Sequence, residues 1–249
     1  MFLMEFSLET QISGALTLIA VLFSIFLSSL VLIRAIKQNE RILYLFFLTL
    51  LFAFTPWFPT AFGYLYWLFT RGELSYEFYI VLGLAFSPIG IVAWIDIYLT
   101  TIHPKIKRPL LIFYEIFSVI FEVYLIYFLF FAPNAPVESM LGTVNELRTN
   151  FSGFLLIYSL ISVVIVCFSG IHFAVVSIKR GSKTETIWKG RFLSIGFTIF
   201  FVQLVLDSII PSNFLAPVII LRILLIITIF FLYLGFILPN WMKKALSIE

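Results

Sequence analysis

Seven apolar segments, each long enough to cross a membrane, account for nearly the whole length of this 249-residue chain. A helix needs about 20 mostly apolar residues to cross the hydrocarbon layer. The chain is 62% hydrophobic and 12% charged, whereas an average soluble domain has about 25% charged residues. We therefore expect one domain, 1–249, that is an all-α membrane bundle of seven transmembrane helices, with spans at about 11–33, 42–69, 77–102, 109–131, 152–178, 191–210 and 214–238.

Basic residues predict the orientation of the bundle. Of the sixteen Lys and Arg residues, thirteen follow spans 1, 3, 5 and 7, and the opposite loops carry only Arg71 and Arg148. The positive-inside rule then predicts an N-terminus outside and a C-terminus in the cytoplasm, in a multi-pass protein of the cell membrane. The net charge of +3 follows from this bias. Membrane lipids with acidic headgroups are the expected partners and nucleic acid is not, because no basic run is interleaved with aromatic residues.

Proline interrupts spans 2 and 3. Pro56 and Pro59, three residues apart, predict a bend near the middle of span 2, and Pro88 lies inside span 3. Trp57 and Phe58 follow at the bend, where with Trp94 of span 3 they could wall a mostly apolar ligand pocket. Ordinary core packing is the alternative, since 31 phenylalanines make aromatic side chains common throughout the chain.

Span 4 carries two carboxylates in an otherwise apolar sequence. Glu115, Ser118 and Glu122 recur at helical spacing, so we expect one polar stripe that faces the bundle interior. The apolar residues of the span favour insertion by roughly 7 kcal/mol, and two buried acids cost about 5 to 7 kcal/mol on the same scale. Span 4 should therefore be enclosed by protein. The stripe is compatible with a structural hydrogen-bond network, with a proton or cation pathway, or with a polar ligand site or switch.

Three titratable residues are predicted to share one level near the inner ends of spans 3, 4 and 5. Asp96 lies about six residues before the basic loop, Glu115 about six after it, and His172 about six from the inner end of span 5. On neighbouring helices these side chains could meet and form a pH-responsive latch, although ordinary packing of His172 is equally compatible. We expect no metal site, because the one other histidine is His103 and no HxxxH or ExxH spacing occurs.

Spans 6 and 7 carry one charged residue each at comparable depth. Asp207 and Arg222 belong to adjacent antiparallel helices, so we expect an ion pair that clamps them; anion binding or gating by Arg222 is the alternative. Gln203 lies one turn below Asp207 and would extend the polar face inward. The residues predicted to face the bundle interior are Asp96, Glu115, Glu122, His172, Gln203, Asp207 and Arg222.

Signatures of enzymes and of common cofactors are lacking in the sequence. It contains no HExxH, GxSxG or P-loop motif, and span 7 has no lysine that could hold retinal as a Schiff base. We therefore predict neither an enzymatic activity nor a cofactor.

The run DIYLTTIHP, Asp96 to Pro104, resembles the DRYLxxxHP pattern of rhodopsin-like G-protein-coupled receptors, at the equivalent end of the equivalent span. The matching positions are Asp96, Tyr98, Leu99, His103 and Pro104. Ile97 stands where the pattern has its arginine, so the group that the resemblance would assign to partner contact is absent. The closing FLYLGFILPNWMKK is similar to the last helix of uncharacterised archaeal seven-helix proteins and of seven-helix sensor modules that precede histidine kinases. Both resemblances imply a sensor-like bundle.

Two functions are compatible with these observations. The favoured one is a receptor or sensor-type membrane protein that binds a small, largely apolar ligand and signals through a cytoplasmic partner on the basic loops 34–41, 103–108 and 179–191. The predicted ligand-binding residues are Trp57, Phe58, Trp94, Glu122 and Gln203, and the predicted polar network or switch comprises Asp96, Glu115, His172, Asp207 and Arg222. The alternative is a proton- or cation-coupled small-solute transporter or channel that uses Glu115 and Glu122.

Overall fold

The computed structural model describes residues 5–132, 136–209 and 215–248. Seven helical spans in these ranges are long and apolar enough to cross a membrane, which confirms the predicted all-α seven-helix bundle. The spans are Leu8–Gln38, Arg41–Thr70, Tyr76–Ile102, Pro104–Phe131, Gly153–Arg180, Thr184–Ile209 and Leu215–Ile237. The predicted end of span 6 at 210 and start of span 7 at 214 lie outside the described residues.

Spans 2, 3 and 4 are each built from more than one helical segment. Span 1 is the single helix α1, Leu8–Gln38. Span 2 consists of α2 (Arg41–Phe52), a 3₁₀ turn (Thr55–Trp57) and α3 (Phe58–Thr70). Span 3 consists of α4 (Tyr76–Leu84) and α5 (Ser87–Ile102). Span 4 consists of a 3₁₀ turn (Pro104–Ile106), α6 (Lys107–Ile126) and a π-helical turn (Tyr127–Phe131).

The second half of the chain begins with small elements and continues with long helices. The small elements are α7 (Val137–Met140) and the antiparallel strands β1 (Gly142–Asn145) and β2 (Arg148–Phe151). Spans 5, 6 and 7 are α8 (Gly153–Arg180), α9 (Thr184–Ile209) and α10 (Leu215–Ile237), and α11 (Asn240–Ala245) follows.

Proline causes the breaks in spans 2 and 3. Pro56 lies in the 3₁₀ turn and Pro88 in the first turn of α5, where the missing N–H is tolerated but the preceding helix cannot continue through the proline. Gly90 allows the two breaks to approach each other, because a Cβ there would lie 3.0 Å from the carbonyl carbon of Phe52 and 3.1 Å from the nitrogen of Ala53. The two breaks therefore lie against each other in the bundle.

A β-hairpin covers one end of the bundle, in the segment between the predicted spans 109–131 and 152–178. Its turn residue Leu147 packs against Phe6 and Trp67. The Thr60 hydroxyl donates to the carbonyl of Leu147 at 2.7 Å, so the hairpin is also held by α3. We call this end the hairpin end.

The opposite end collects the basic connections. Arg34 Nη1 donates to the carbonyl of Ile237 at 3.2 Å, and Lys243 Nζ lies 2.9 Å from a Glu185 carboxylate oxygen. We call this the basic end; it comprises segments 34–41, 103–108 and 179–191 together with α11. Its position in the cytoplasm stays a prediction.

The apolar interior has two large cores besides the small cluster of Phe6, Trp67 and Leu147 at the hairpin end. The larger joins α1, α2, α3, α5, α8, α9 and α10, and the smaller lies among α4, α5, α6 and α8. Span 4 is the most peripheral, since 22% of its most apolar stretch is buried, against 33 to 50% for the other spans. The prediction that span 4 is enclosed by protein is therefore wrong for the described part of the chain, because α6 buries only one side against its own bundle.

Candidate functional site

A small cavity lies where the breaks of spans 2 and 3 meet α8 and α9. Its volume is about 80 Å³. Most of its lining is apolar, with the hydroxyls of a tyrosine and three serines among it; such lining is typical of small-molecule pockets. The lining residues are Phe52, Ala53, Pro56, Trp57, Leu84, Ser87, Ile91, Tyr158, Ser159, Ser162, Val163, Val166, Phe200 and Leu204. We call it the helix-break cavity.

Trp57 connects this cavity to a charged site at the hairpin end. Its side chain lines the cavity, and its indole Nε1–H donates to a carboxylate oxygen of Asp207 at 3.3 Å. The same ring lies 6.3 Å from the ring of Phe200, centroid to centroid. A molecule in the cavity would thus touch a side chain that is bonded to the charge of span 6.

Asp207 is the centre of that charged site. Arg222 Nη1 lies 3.2 Å from both of its carboxylate oxygens, so the ion pair predicted between spans 6 and 7 is present. Arg148 Nη2 on the hairpin donates to the backbone carbonyl of Asp207 at 3.0 Å. The hairpin, α9 and α10 are therefore joined at one residue.

Within the described residues, buried side-chain polar atoms that lack a hydrogen-bond partner occur only on α9 and α10. These atoms are Nε2 and Oε1 of Gln203, Nε of Arg222 and Oγ1 of Thr228. Gln203 and Thr228 are completely buried. A buried polar group without a partner costs about 1 to 3 kcal/mol. The α9–α10 contact therefore offers both donors and an acceptor that a bound polar group would satisfy.

The basic end holds a fully paired acid. Asp96 is buried on α5, and its carboxylate accepts from Arg41 Nη2 at 2.6 Å, Lys107 Nζ at 2.5 Å and the Thr100 hydroxyl at 2.9 Å. Arg41 is the first residue of α2 and Lys107 the first of α6. These four residues, which we call the ion cluster, thus join spans 2, 3 and 4.

The predicted latch of Asp96, Glu115 and His172 is wrong. Glu115 and His172 are exposed rather than interior. His172 Nδ1 lies 2.8 Å from the Tyr98 hydroxyl, and its ring stacks on His103 at 6.0 Å. Glu115 points outward because α6 buries the adjacent Tyr114 face, and neighbouring residues on a helix differ in direction by about 100°.

Of the three predicted pocket aromatics, only Trp57 lines the helix-break cavity. Trp94 is completely buried nearer the basic end, where its indole N–H donates to the Ser169 hydroxyl at 2.8 Å. Phe58 is buried with its ring edge-on to Phe62. Core packing, the alternative interpretation, therefore describes Trp94 and Phe58. Of the remaining predicted residues, Gln203 and Arg222 are buried as expected, and Glu122 and Asp207 are half-buried.

A pair of hydroxyl contacts between α6 and α8 was missed in the sequence. Tyr114 and Ser162 lie 2.5 Å apart, and Ser118 and Tyr158 lie 3.0 Å apart, measured between their hydroxyl oxygens. Each helix carries its tyrosine and serine four residues apart, which is the spacing that puts both on one face. That shared spacing is the signal from which the contact could have been predicted.

Comparison of the chain with protein families, with curated proteins and with solved structures finds no match. The class of the protein therefore follows from its fold: it is a helical membrane protein with seven spans. Among the described residues, no group of three or more His, Cys, Asp or Glu side chains could hold a metal ion.

Proposed function

We propose that the protein is a receptor or sensor of the cell membrane that binds a small, largely apolar molecule in the helix-break cavity and responds at the ion cluster. One observation carries this proposal. Both helices that border the cavity at the breaks, α2 and α5, carry a member of the ion cluster toward their other ends.

The geometry of these two helices supports mechanical coupling. The last residue of α2, Phe52, lines the cavity, and its first residue, Arg41, binds Asp96 at 2.6 Å. α5 begins with the cavity residue Ser87 and carries Asp96 about 13 Å further along. A helix moves largely as a rigid element, so a displacement at the breaks would be transmitted to the Arg41–Asp96 bond.

The cavity also limits the chemistry of the ligand. A volume of about 80 Å³ admits only a small molecule, since drug-sized ligands occupy pockets of about 300 to 1,000 Å³. The lining favours an apolar body with one hydrogen-bonding group. A ligand that shifts Trp57 would also weaken the bond of its indole to Asp207, so the hairpin end would respond as well.

The ion cluster is accessible to a partner from the basic end. The Arg41 side chain is 73% exposed although Asp96 is buried. With the predicted orientation, segments 34–41, 103–108 and 179–191 face the cytoplasm. A signalling protein on these segments could therefore respond to release of Arg41.

The geometry gives less support to a transporter that uses Glu115 and Glu122. Glu115 is exposed on the outside of the bundle, and Asp96 binds Arg41, Lys107 and Thr100 instead of either glutamate. In the described residues, no chain of hydrogen bonds leads from Glu122 to Asp96. Charge transfer along span 4 would have to follow the outer surface of α6, where the exposed residues next to Glu115 are apolar and a charge is unfavourable.

The test uses benzene, phenol and indole as probes on the purified protein in detergent. Binding in the cavity should raise the melting temperature of the wild type and leave that of Ala53→Leu, which fills the cavity, unchanged. Spin labels at Lys37 and Lys105, in a Cys167→Ala background, then report the distance across the basic end. We expect a stabilising probe to change this distance in the wild type only.

Two results would count against a sensor. One is a probe that binds in the cavity, is blocked by Ala53→Leu and leaves the label distance unchanged. The other is proton or solute flux in proteoliposomes that Glu122→Gln abolishes, which would favour the transporter.

A further inference from the structure

The outer face of α6 carries a carboxyl group that has no partner in the described part of the chain. Glu115 is exposed, and the described residues include no hydrogen bond or ion pair to it. It lies about 12 Å beyond Lys107, within the apolar part of span 4. Its neighbours on the surface are apolar, since Ile116 and Val119 are 57% and 61% exposed. A carboxyl group that faces lipid within an apolar span is unfavourable.

The exposed side of α8 shows how another lipid-facing surface of this protein is composed. Between 154 and 170, every exposed residue of α8 is Leu, Ile, Val or Phe. Such a surface needs no partner beyond acyl chains. Glu115 therefore distinguishes the α6 surface from an ordinary lipid-facing helix face.

The residues around Glu115 also have the spacing of a helix-pairing seam. Five residues follow one another at intervals of three and four: Ile112, Glu115, Val119, Glu122 and Ile126. This is the spacing of the a and d positions in paired helices, with β-branched residues at a and glutamate at d. The seam is rotated away from the residues that α6 buries in its own bundle, which are Tyr114, Ser118, Phe121 and Leu125.

We propose that this seam pairs with the α6 seam of a second copy of the chain, and that the two Glu115 carboxyls hydrogen-bond to each other across the two-fold axis. A two-fold axis along the membrane normal places equal residues at equal depth, so residues near the axis meet their own symmetry mates. A protonated carboxyl has an O–H donor and a C=O acceptor, and two facing carboxyls satisfy each other. Polar side chains that bond in this way hold transmembrane helices together. Lipid tails offer no such partner.

Disulfide cross-linking in the native membrane tests the seam directly. Cys167, the one cysteine of the chain, is replaced by alanine, and a single cysteine is placed at Val119 or at Phe113. The two positions are similarly exposed, at 61% and 69%, but Phe113 lies about 120° around the helix from Val119. We expect oxidation to link Val119→Cys chains into dimers and to leave Phe113→Cys chains at the level of random collisions.

Substitution of Glu115 separates a specific pair from general apolar contact. In the Val119→Cys protein, Glu115→Leu should weaken dimerisation about tenfold, or about 1.4 kcal/mol, because the hydrogen bond between the two helices is lost. Glu115→Gln should retain it, since an amide is also both donor and acceptor. Melting curves in detergent, where the chains are diluted, verify that the variants fold alike.

Three outcomes would overturn the proposal. They are equal cross-linking at Val119 and Phe113, dimerisation of Glu115→Leu that equals that of the wild type, and a wild-type protein that is monomeric in lipid nanodiscs loaded for two copies. The last outcome would assign the seam to a different protein or to lipid.

Discussion

The two ends of the bundle each hold an aspartate between helices, and they differ in how completely the surrounding polar atoms are paired. At the basic end, Asp96 has a side chain only 7% exposed and accepts bonds of 2.5 to 2.9 Å from three partners. At the hairpin end, Asp207 is 26% exposed, and its carboxylate bonds to Arg222 and Trp57 are 3.2 to 3.3 Å long. Gln203, one turn away, has no partner in the described residues.

This difference suggests different roles for similar chemistry. A polar network in which every atom is paired is rigid and specifies one arrangement, whereas a partly paired network can accept a further group. The ion cluster at the basic end therefore suits a contact that holds spans 2, 3 and 4 in one arrangement. The Asp207 site, beside the helix-break cavity, suits the binding of a molecule that supplies missing partners.

The largest effect is expected when the ion cluster loses its acid. Asp96→Asn leaves Lys107 beside a neutral amide and should lower the free energy of unfolding by about 2 to 3 kcal/mol. Removing one member of a fully buried pair costs about 3 to 5 kcal/mol, and the 73% exposure of Arg41 reduces this value. Denaturant unfolding in detergent measures the change. Arg41→Gln is the matched control and should cost under about 1 kcal/mol; equal losses for the two variants would contradict a buried cluster.

A smaller effect is expected for the ion pair at the hairpin end. Double-mutant cycles with Asp207→Asn and Arg222→Gln should give a coupling free energy of about 1 kcal/mol, against about 2 kcal/mol for Asp96→Asn and Lys107→Gln. The physical reason is the longer distance and greater exposure of Asp207. If the two couplings were equal, the ends would not differ in the strength of their ion pairs.

Local features of the sequence predicted most of the architecture. It was harder to predict which side of each helix faces the bundle interior. The break at Pro56 and the Asp207–Arg222 pair depend on residue type and on the order of the spans, so both were predictable. The direction of Glu115 was not, because the stripe through Glu115 and the stripe through Tyr114 both have helical spacing and both include Ser118. Contacts between α6 and α8 decide between these stripes, and they join residues that are distant in the sequence.

The partners of Asp96 were missed for a related reason. Arg41 and Lys107 were counted among the basic residues that predict the orientation of the bundle, and no contact of their side chains was predicted. Both side chains nevertheless reach back to the same carboxylate. Long basic side chains at the end of a span can serve both roles, because their stems lie along apolar surface while their charged ends find a partner.

Replacement of Gln203 tests the incompletely paired site. Gln203→Leu removes a buried amide that has no partner within the described residues and keeps a similar volume, so it should stabilise the protein without ligand by about 1 kcal/mol. Ser162→Ala is the control, because it removes a hydroxyl paired with Tyr114 at 2.5 Å and should destabilise the protein. Thermal unfolding compares the two variants with the wild type. A loss of stability in Gln203→Leu would mean that the amide is already satisfied in the protein.

The smallest effect is expected at His172, whose contacts lie outside the ion cluster. Its ring is exposed, accepts or donates one hydrogen bond with Tyr98 and stacks on His103, so His172→Ala should lower the free energy of unfolding by about 0.5 kcal/mol. His172 and Asp96 share no partner, and the losses in Asp96→Asn, His172→Ala and the double variant should therefore add within about 0.5 kcal/mol. A coupling above about 1 kcal/mol would show that the two side chains interact, and it would restore the latch that the positions of Glu115 and His172 argue against.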